Sequence, residues 1–379
     1  MVFTRRKTLA LVGGGMIFAA GAGGWSISRP AHQALAPWSK AGNYEDPRLR
    51  ALSWAILSPN PHNLQPWKVD ISEQDKVVLY VDTDRLLPET DPFNRQIVIG
   101  FGCFLETLAI AAAEEGWKTE VELFPKGHDA ENLDDRPIAD IKFVPGAEKD
   151  DDFGYILHRR TQKEPYDLSQ PVAEVDLAKL ITSTRYSTRS DGTVDAKEVA
   201  ELRTLSEQAM WIEIETPRTY KESVDLFRIG RAEINANPDG IDFPGPMFDL
   251  LRITGQFSRE AAMDGESQAY KAGIDAVMEN MRTAMGHVWI CTKGNTREDQ
   301  ITAGRDWMRM HLAATRIGLG LQPLSQALQE YPEMSELYDQ THARLAKPGE
   351  TVQMWARVGY SPDVPASPRW PLEAKLMNG

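Results

Sequence analysis

Cysteine is scarce. Of 379 residues only Cys103 and Cys291 carry a thiol, the first in an apolar helical run and the second in a strand-like run. Two thiols so placed read as buried side chains, not as a disulfide, a nucleophile or ligands. The sequence has no CxxC, no HExxH and no other close ligand spacing, which leaves no basis for a metal site. Positive charge is also short: 42 Lys and Arg face 55 Asp and Glu, for a net charge of −13. No long basic stripe relieves that deficit, which argues against a nucleic-acid partner and for an acidic, soluble surface. No Gly-x-Gly-x-x-Gly follows a strand-like run, and no phosphate-loop lysine is present, so Rossmann and P-loop readings lack support.

Uncharged sequence is plentiful at the start. Thr4-Arg5-Arg6-Lys7-Thr8-Leu9 precedes a glycine-rich apolar run to Trp25. A paired-arginine head before a short, weakly hydrophobic segment resembles a twin-arginine export signal, here residues 1–36. Such signals address proteins that fold before export, often with a cofactor bound. The implied place is the periplasm or elsewhere outside the cytoplasmic membrane. Ala34-Leu-Ala36 fits a cleavage site but Pro37 after it does not, so an uncleaved anchor stays open.

Past the signal, the most distinctive stretch is Ser58-Pro-Asn-Pro-His-Asn-Leu-Gln-Pro-Trp67. Its prolines remove backbone donors and fix φ, which predicts an ordered loop. Ser58, Asn60, His62, Asn63 and Gln65 crowd polar groups into it. Those groups can serve a flat polar ligand, or they can satisfy their own turn. A helix with Asp46 and Pro47 at its start precedes the loop, and strands at 67–71 and 77–82 follow it. Asp91-Pro92 opens a long helix to about Glu115, apolar from Ile97 to Ala113 except Glu106 and Thr107, hence buried on nearly all sides. Strands at 118–124 and 138–144 come next.

An acidic break at 148–152 separates a first part, 44–150, from a second, 151–379. Helices are expected at 172–182 and 196–213. The Gly-, Pro- and Phe-rich segment 234–256 reads as a lid or packed excursion. A strand at 287–292 leads to a helix at 297–317, with Ile301, Gly304, Met308, His311, Leu312 and Thr315 at helical spacing. Gly318 stops that helix, Ser325 is expected to start the next, and 352–358 reads as a strand. The Pro-rich tail carries Arg369. The two parts repeat one pattern, with the helices 92–115 and 297–317 in matching places, which predicts a strongly diverged internal duplication.

Four motifs in order carry a family resemblance: Pro59-x-x-His62-Asn63-x-Gln65-Pro66-Trp67; Arg159-x-Thr161-x-Lys163; Ala303-Gly304 through Ala313-Ala314-Thr315-x-x-Gly318 to Pro323-Leu324-Ser325; and Arg357-x-Gly359-Tyr360 with Arg369. Together they resemble the FMN-dependent nitroreductase superfamily, and the tandem layout resembles its Acg-like branch. The resemblance implies an α+β, nitroreductase-like fold whose two fused halves form a pseudo-dimer, so that a monomer does the work of two subunits. It implies FMN in a cleft between the halves. The second half would supply Arg159, Thr161, Lys163, Arg369 and the Leu324 or Ser325 amide near flavin N5. The first half would supply Ser58, Asn60, His62, Asn63 and Gln65.

The residue types suit that cofactor. Arg159 and Arg369 can pair a phosphate dianion, and Thr161 can add a hydroxyl donor. Lys163 can favour the reduced, anionic flavin edge. The family motif departs at Asn60-Pro61, where small residues are usual, and at Lys163, where the Acg-like branch has arginine. A reciprocal flavin site would need a cationic motif before Tyr44 and a matching loop near 183–192. Neither is present, with Arg48 and Arg50 the nearest candidates, so one FMN per chain and a dead second pocket are expected. The implied activity is an exported oxidoreductase that passes electrons from a small-molecule donor through flavin N5 to a quinone, nitroaromatic or similar acceptor. Two alternatives stand beside it: a flavin-sequestering pseudoenzyme with its lid closed, and a non-flavin helical binding module whose motif matches are accidental.

Overall fold

The computed structural model describes residues 32–377 apart from Thr188. The paired arginines and the apolar run of the proposed export signal lie outside the described residues. A helix, α1 (His32–Lys40), precedes Tyr44. Ala34 is buried; its N–H donates to Asn235 Oδ1 at 3.2 Å and its carbonyl accepts the Arg369 N–H at 2.8 Å. Trp38 Nε1 donates to the Ser367 carbonyl at 2.8 Å. The segment boundary expected at residue 36 therefore falls inside a packed helix.

Helix α2 (Pro47–Ala55) starts as its sequence says it should: the Asp46 carboxylate accepts the Arg48 N–H at 2.8 Å and Pro47 occupies the first turn. Strands β1 (Trp67–Asp70) and β2 (Lys76–Val81) form an antiparallel pair. Helix α3 (Arg95–Glu114) begins later than Asp91-Pro92. Asn94 takes a left-handed φ of 59°, which breaks the helix there. Asp91 instead reaches forward, accepting the Gln96 and Ile97 N–H groups at 3.0 and 2.9 Å. Strands β3 (Trp117–Leu123) and β4 (Ala139–Pro145) complete a sheet of order β1-β2-β4-β3. α3 is long and apolar enough to cross a membrane, yet it is the buried centre of the first core, against Leu52, Trp67 and Leu79.

The second half repeats the plan around a large insertion. Helix α4 (Glu174–Ile181) and strand β5 (Arg189–Thr193) precede the insertion. It consists of α5 (Ala196–Glu215), α6 (Pro217–Asp225), β6 (Phe227–Ile229), α7 (Gly230–Ala236), β7 (Ile241–Phe243), α8 (Pro246–Ile253), α9 (Arg259–Met263) and α10 (Gln268–Arg282). Strand β8 (Gly286–Thr292), helix α11 (Arg297–Arg316), strand β9 (Gly320–Pro323), helix α12 (Ser335–Leu345) and strand β10 (Thr351–Gly359) finish the chain. The second sheet runs β5-β8-β10-β9, so its order matches the first strand for strand. All pairings in both sheets are antiparallel.

Three elements differ from expectation. The 234–256 segment is more regular than its composition suggested, because β6 and β7 form a short parallel ladder flanked by α7 and α8. No α-helix starts at Ser325; a 3-10 turn at Gln326–Leu328 follows the strand β9 instead. That strand is set by pairing with β10 and by the ring of Tyr166, which leaves no room for a Cβ at Gly320 or Gly359.

The halves meet where α3 crosses α11. A Cβ at Gly102 would collide with the Ile301 carbonyl, and one at Gly304 with the Ile99 carbonyl. The contact is reciprocal: the same number of residues separates Ile99 from Ile301 as Gly102 from Gly304. Two helices related by a local two-fold axis pack at their smallest residues, which lets the backbones touch.

Candidate functional site

The loop between α2 and β1 is held by unusual backbone. His62, Asn63 and Gln65 take φ of 46°, 55° and 53°, between prolines 61 and 66. Such angles cost side-chain-bearing residues about a kilocalorie per mole or more and persist where surroundings fix them. The fixing groups are the loop's own side chains. Asn60 Oδ1 accepts the Gln65 N–H at 2.8 Å. Ser58 is fully buried and donates to Thr107 Oγ1 at 2.7 Å. Gln65 Nε2 donates to the Pro238 carbonyl at 2.8 Å, and Gln65 Oε1 accepts the Trp370 N–H at 2.8 Å. Asn63 Nδ2 donates to the Pro368 carbonyl at 3.0 Å and its Oδ1 accepts from Arg369.

Ser58, Asn60, Asn63 and Gln65, expected to face a ligand, are hydrogen-bonded within the protein in this structure. Their polar groups tie the loop to α3, to the lid and to the tail. His62 lines a cavity.

The second half brings its cations to the same loop. Arg159 and Arg369 are 3% and 2% exposed. Both donate to the Leu57 carbonyl, at 3.3 and 3.1 Å, and Arg369 also donates to the Ser58 carbonyl at 3.2 Å. Among the described residues no carboxylate forms an ion pair with Arg159. Burial, then the repulsion of Arg160, lowers Arg159 to about 10. Burial, then the repulsion of Arg159, lowers Arg369 to about 9, and the pull of Asp242 does not offset them. Arg369 Nε is buried with no hydrogen-bond acceptor among the described residues. Two desolvated cations sharing one neutral acceptor, with an orphaned donor between them, make a site that wants an anion.

His311 was read only as part of a helical stripe. It touches this pair: Nδ1 lies 3.5 Å from Arg159 Nη1 and Nε2 lies 2.8 Å from the Arg160 carbonyl. The ring is buried and its pKa is pushed well below the ordinary value by burial and by Arg159. A neutral ring donating from Nε2 to the carbonyl leaves Nδ1 as the acceptor facing Arg159.

Thr161 bridges Leu321, and the Gln162 N–H donates to the Leu321 carbonyl at 3.1 Å, so 161–163 lies along β9. Lys163 thereby reaches the cavity lined by His62 from the other half. Burial, then Lys163, lowers His62 to about 4. Of the second-half cations, Arg159 and Arg369 meet the first-half loop at the Leu57 carbonyl, whereas Lys163 shares that cavity with His62 of the same loop. At its far wall the Leu324 N–H donates to the Trp355 carbonyl at 2.8 Å, which removes Leu324 as a donor to a ligand. Ser325 N–H donates to no group among the described residues.

The cavity, about 300 Å³, is closed from above by the insertion. Phe227, Phe243, Phe248 and Phe257 form its roof, with ring centroids 4.7–6.2 Å apart. Glu213, 6% exposed, sits in its wall; burial raises its pKa and Gln329 donates to it at 2.8 Å. The spacing of these phenylalanines gave no periodic signal, because they come from two short strands, a short helix and a turn.

The position related by the local two-fold axis is filled differently. There Arg309 pairs with Asp150 at 2.7 Å and Asp152 at 2.9 Å, and Arg316 and Arg185 approach the same carboxylates. Asp306 accepts the Arg185, Tyr186 and Ser187 N–H groups. Arg48 and Arg50, the candidates for a reciprocal motif, pair with Asp46 and Glu115.

The α+β fold carries two sheets of like strand order and a cavity lined from both halves. No family model matches the chain. It is similar to a Mycobacterium tuberculosis protein named "Putative NAD(P)H nitroreductase acg", 27% identical over 351 residues, covering 85% of this chain and 93% of the relative. A second nitroreductase so named from the same organism is 25% identical over 325 residues, covering 84% and 87%. Among solved structures, the FMN-dependent nitroreductase NfnB from Mycobacterium smegmatis in complex with NADPH aligns with 57% of this chain and 92% of its own, at 17% identity and a TM-score of 0.35.

Proposed function

We propose that the chain is an FMN-dependent oxidoreductase of the nitroreductase type. The observation that carries this reading is the pair of buried guanidinium groups, Arg159 and Arg369, converging on the Leu57 carbonyl, where burial and mutual repulsion outweigh the pull of Asp242 on Arg369. A phosphate dianion satisfies both, and it accepts the proton of the orphaned Arg369 Nε. Lys163 and His62, next along the cleft, suit the polar edge of a flavin ring. The Ser325 N–H suits N5. When bound, the flavin supplies two-electron chemistry between a small-molecule donor and a quinone, nitroaromatic or similar acceptor. The protein's part is to grip the phosphate, set the ring against Lys163 and exclude water with the phenylalanine roof. The names of the full-length relatives support the same class.

One flavin per chain follows from the contrast between the two related positions, since Asp150 and Asp152 already stand opposite Arg309. The division into tandem halves at about residue 150 belongs to the same reading, supported by the matching sheet orders. So does export by the twin-arginine route, supported by Arg5-Arg6 and the uncharged run after them. The deciding measurement is the visible spectrum of the purified chain, with the flavin-to-chain ratio after release. A yellow protein with FMN near one per chain is expected. A chain that stays colourless after incubation with FMN would end the proposal.

The phenylalanine roof favours a second reading, in which the closed lid holds flavin without turnover. Deleting 240–252 should then speed bleaching by NAD(P)H. Equal rates before and after deletion would leave the oxidoreductase reading alone.

A further inference from the structure

The lid helix α8 is apolar on both sides. Inward, Phe248 packs 5.3 Å from Phe243 and 5.6 Å from Phe257. Outward, Met247, Leu250 and Ile253 are 45%, 42% and 72% exposed, three residues apart on one stripe. Ten large apolar side chains are exposed among the described residues, and four of them, these three and Met263, fall within one short stretch of the lid. The single carboxylate of α8, Asp249, is turned inward, where it accepts the Arg231 N–H at 2.8 Å. The outer stripe therefore carries no acid, on a chain whose net charge is −13. Clustered apolar exposure of this kind marks a contact surface.

The course of the chain indicates which contact. The first described helix, α1, packs on α7, where Ala34 and Ile234 form a small buried cluster. α7 runs through β7 straight into α8. The described chain thus enters the fold at α1, which is linked to α8 through α7. Between Lys7 and Arg29 the sequence has no charged residue and is rich in Gly and Ala. Two linked features, an uncharged leader and an acid-free apolar helix face, fit one apolar partner.

We propose that the outer face of α8 docks on a lipid bilayer. The helix lies in the plane of the interface, with Met247, Leu250 and Ile253 among the acyl chains and the phenylalanine-roofed cavity directly behind it. This surface does not depend on the flavin reading.

The test uses the full chain carrying Ile253→Cys, labelled with an environment-sensitive fluorophore. Cys103 and Cys291 are buried, so the label goes to the introduced thiol. Leu250→Cys repeats the measurement one turn earlier, and Val175→Cys, on α4 and 63% exposed, is the control. Phosphatidylcholine vesicles should shift the emission of the 253 and 250 labels to the blue and cut their quenching by iodide several-fold, leaving the 175 label unchanged. Lid labels that stay water-exposed on vesicles overturn the proposal, because the leader alone then binds. Equal shifts at all three positions overturn it as general adsorption. A lid label already shielded without vesicles overturns it in favour of a cover made by the chain's own leader or a second copy. These readouts need no flavin, so a colourless protein whose lid labels shift loses only the oxidoreductase reading.

Discussion

Arg159 has poor partners for a buried cation: a carbonyl at 3.3 Å and an imidazole nitrogen at 3.5 Å. A residue kept for stability would not be held so. Arg159→Met, of similar volume and uncharged, should leave the melting temperature of the flavin-free protein unchanged or raise it, since it removes an unpaired buried charge. The same change should weaken FMN binding by about 1.5–3 kcal/mol, roughly 10- to 150-fold, by loss of a charge-assisted bond. Fluorescence titration with FMN and thermal melts read the two quantities separately. A drop in melting temperature with unaltered affinity would reassign Arg159 to the core.

Titration adds a second residue-scale expectation. His62 is lowered to about 4, His287 to about 3 and His311 well below its ordinary value, all chiefly by burial. Each is neutral when folded, whereas the unfolded chain takes a proton near pH 6.5. Their stabilisation is full above pH 6.5 and is lost as pH falls toward the folded values, at up to about 1.4 kcal/mol per pH unit for each ring. Asp91, pushed up to about 6, and the raised Glu213 act in the opposite sense, two groups against three. The urea midpoint should be lower at pH 5 than at pH 7, and His62→Gln should shrink the difference. A midpoint that rises on acidification would show the acids outweighing the rings.

At the scale of elements, the α3–α11 crossing joins the halves, and two glycines make it. Gly304→Ala places a methyl against the Ile99 carbonyl, backbone that cannot swing aside. Overpacking of that sort costs about 1–3 kcal/mol, and Gly102→Ala should cost as much, for the same reason seen from the other helix. Chemical denaturation of each variant gives the figures; losses below a few tenths would mean the helices slide apart freely. Both helices were legible in sequence, α3 from its apolar run interrupted only at Glu106 and Thr107 and α11 from its 3/4 spacing. β9 was not, because four residues, Gly-Leu-Gln-Pro, become a strand only by pairing with β10. α10 and the lid ladder escaped for a related reason: their apolar positions face a cavity or a short neighbour, so no clean period is written along them. In the loop 58–67 the residue types were legible as polar and clustered. Which of them face inward was not, because Gln65 and Asn63 choose the Pro238 carbonyl, the tail and Arg369, partners more than 170 residues away.

The whole molecule sets two equivalent positions against each other about a local two-fold axis. One carries cations whose burial and mutual repulsion outweigh the pull of Asp242, the other cations that the chain's own acids already hold. Arg309 there is raised in pKa by Glu106, Asp150 and Asp152 despite burial, the reverse of Arg159 and Arg369. A duplicated chain that binds one flavin can let its second position decay only if something replaces the lost phosphate, and Asp150 and Asp152 stand where that charge is needed. The asymmetry predicts opposite outcomes for like changes. Asp152→Asn takes one of three carboxylates from the buried Arg309, so it should destabilise the protein by about 3 kcal/mol and leave the flavin ratio at one per chain. Inorganic phosphate should recover part of the lost melting temperature in that variant by standing in for the carboxylate, and should raise the flavin-free wild type through Arg159 and Arg369. Melting curves with and without phosphate, set beside the flavin ratio of each protein, decide it. A second flavin bound by Asp152→Asn would show the two positions to be still equivalent, and a wild type indifferent to phosphate would remove the anion from the first.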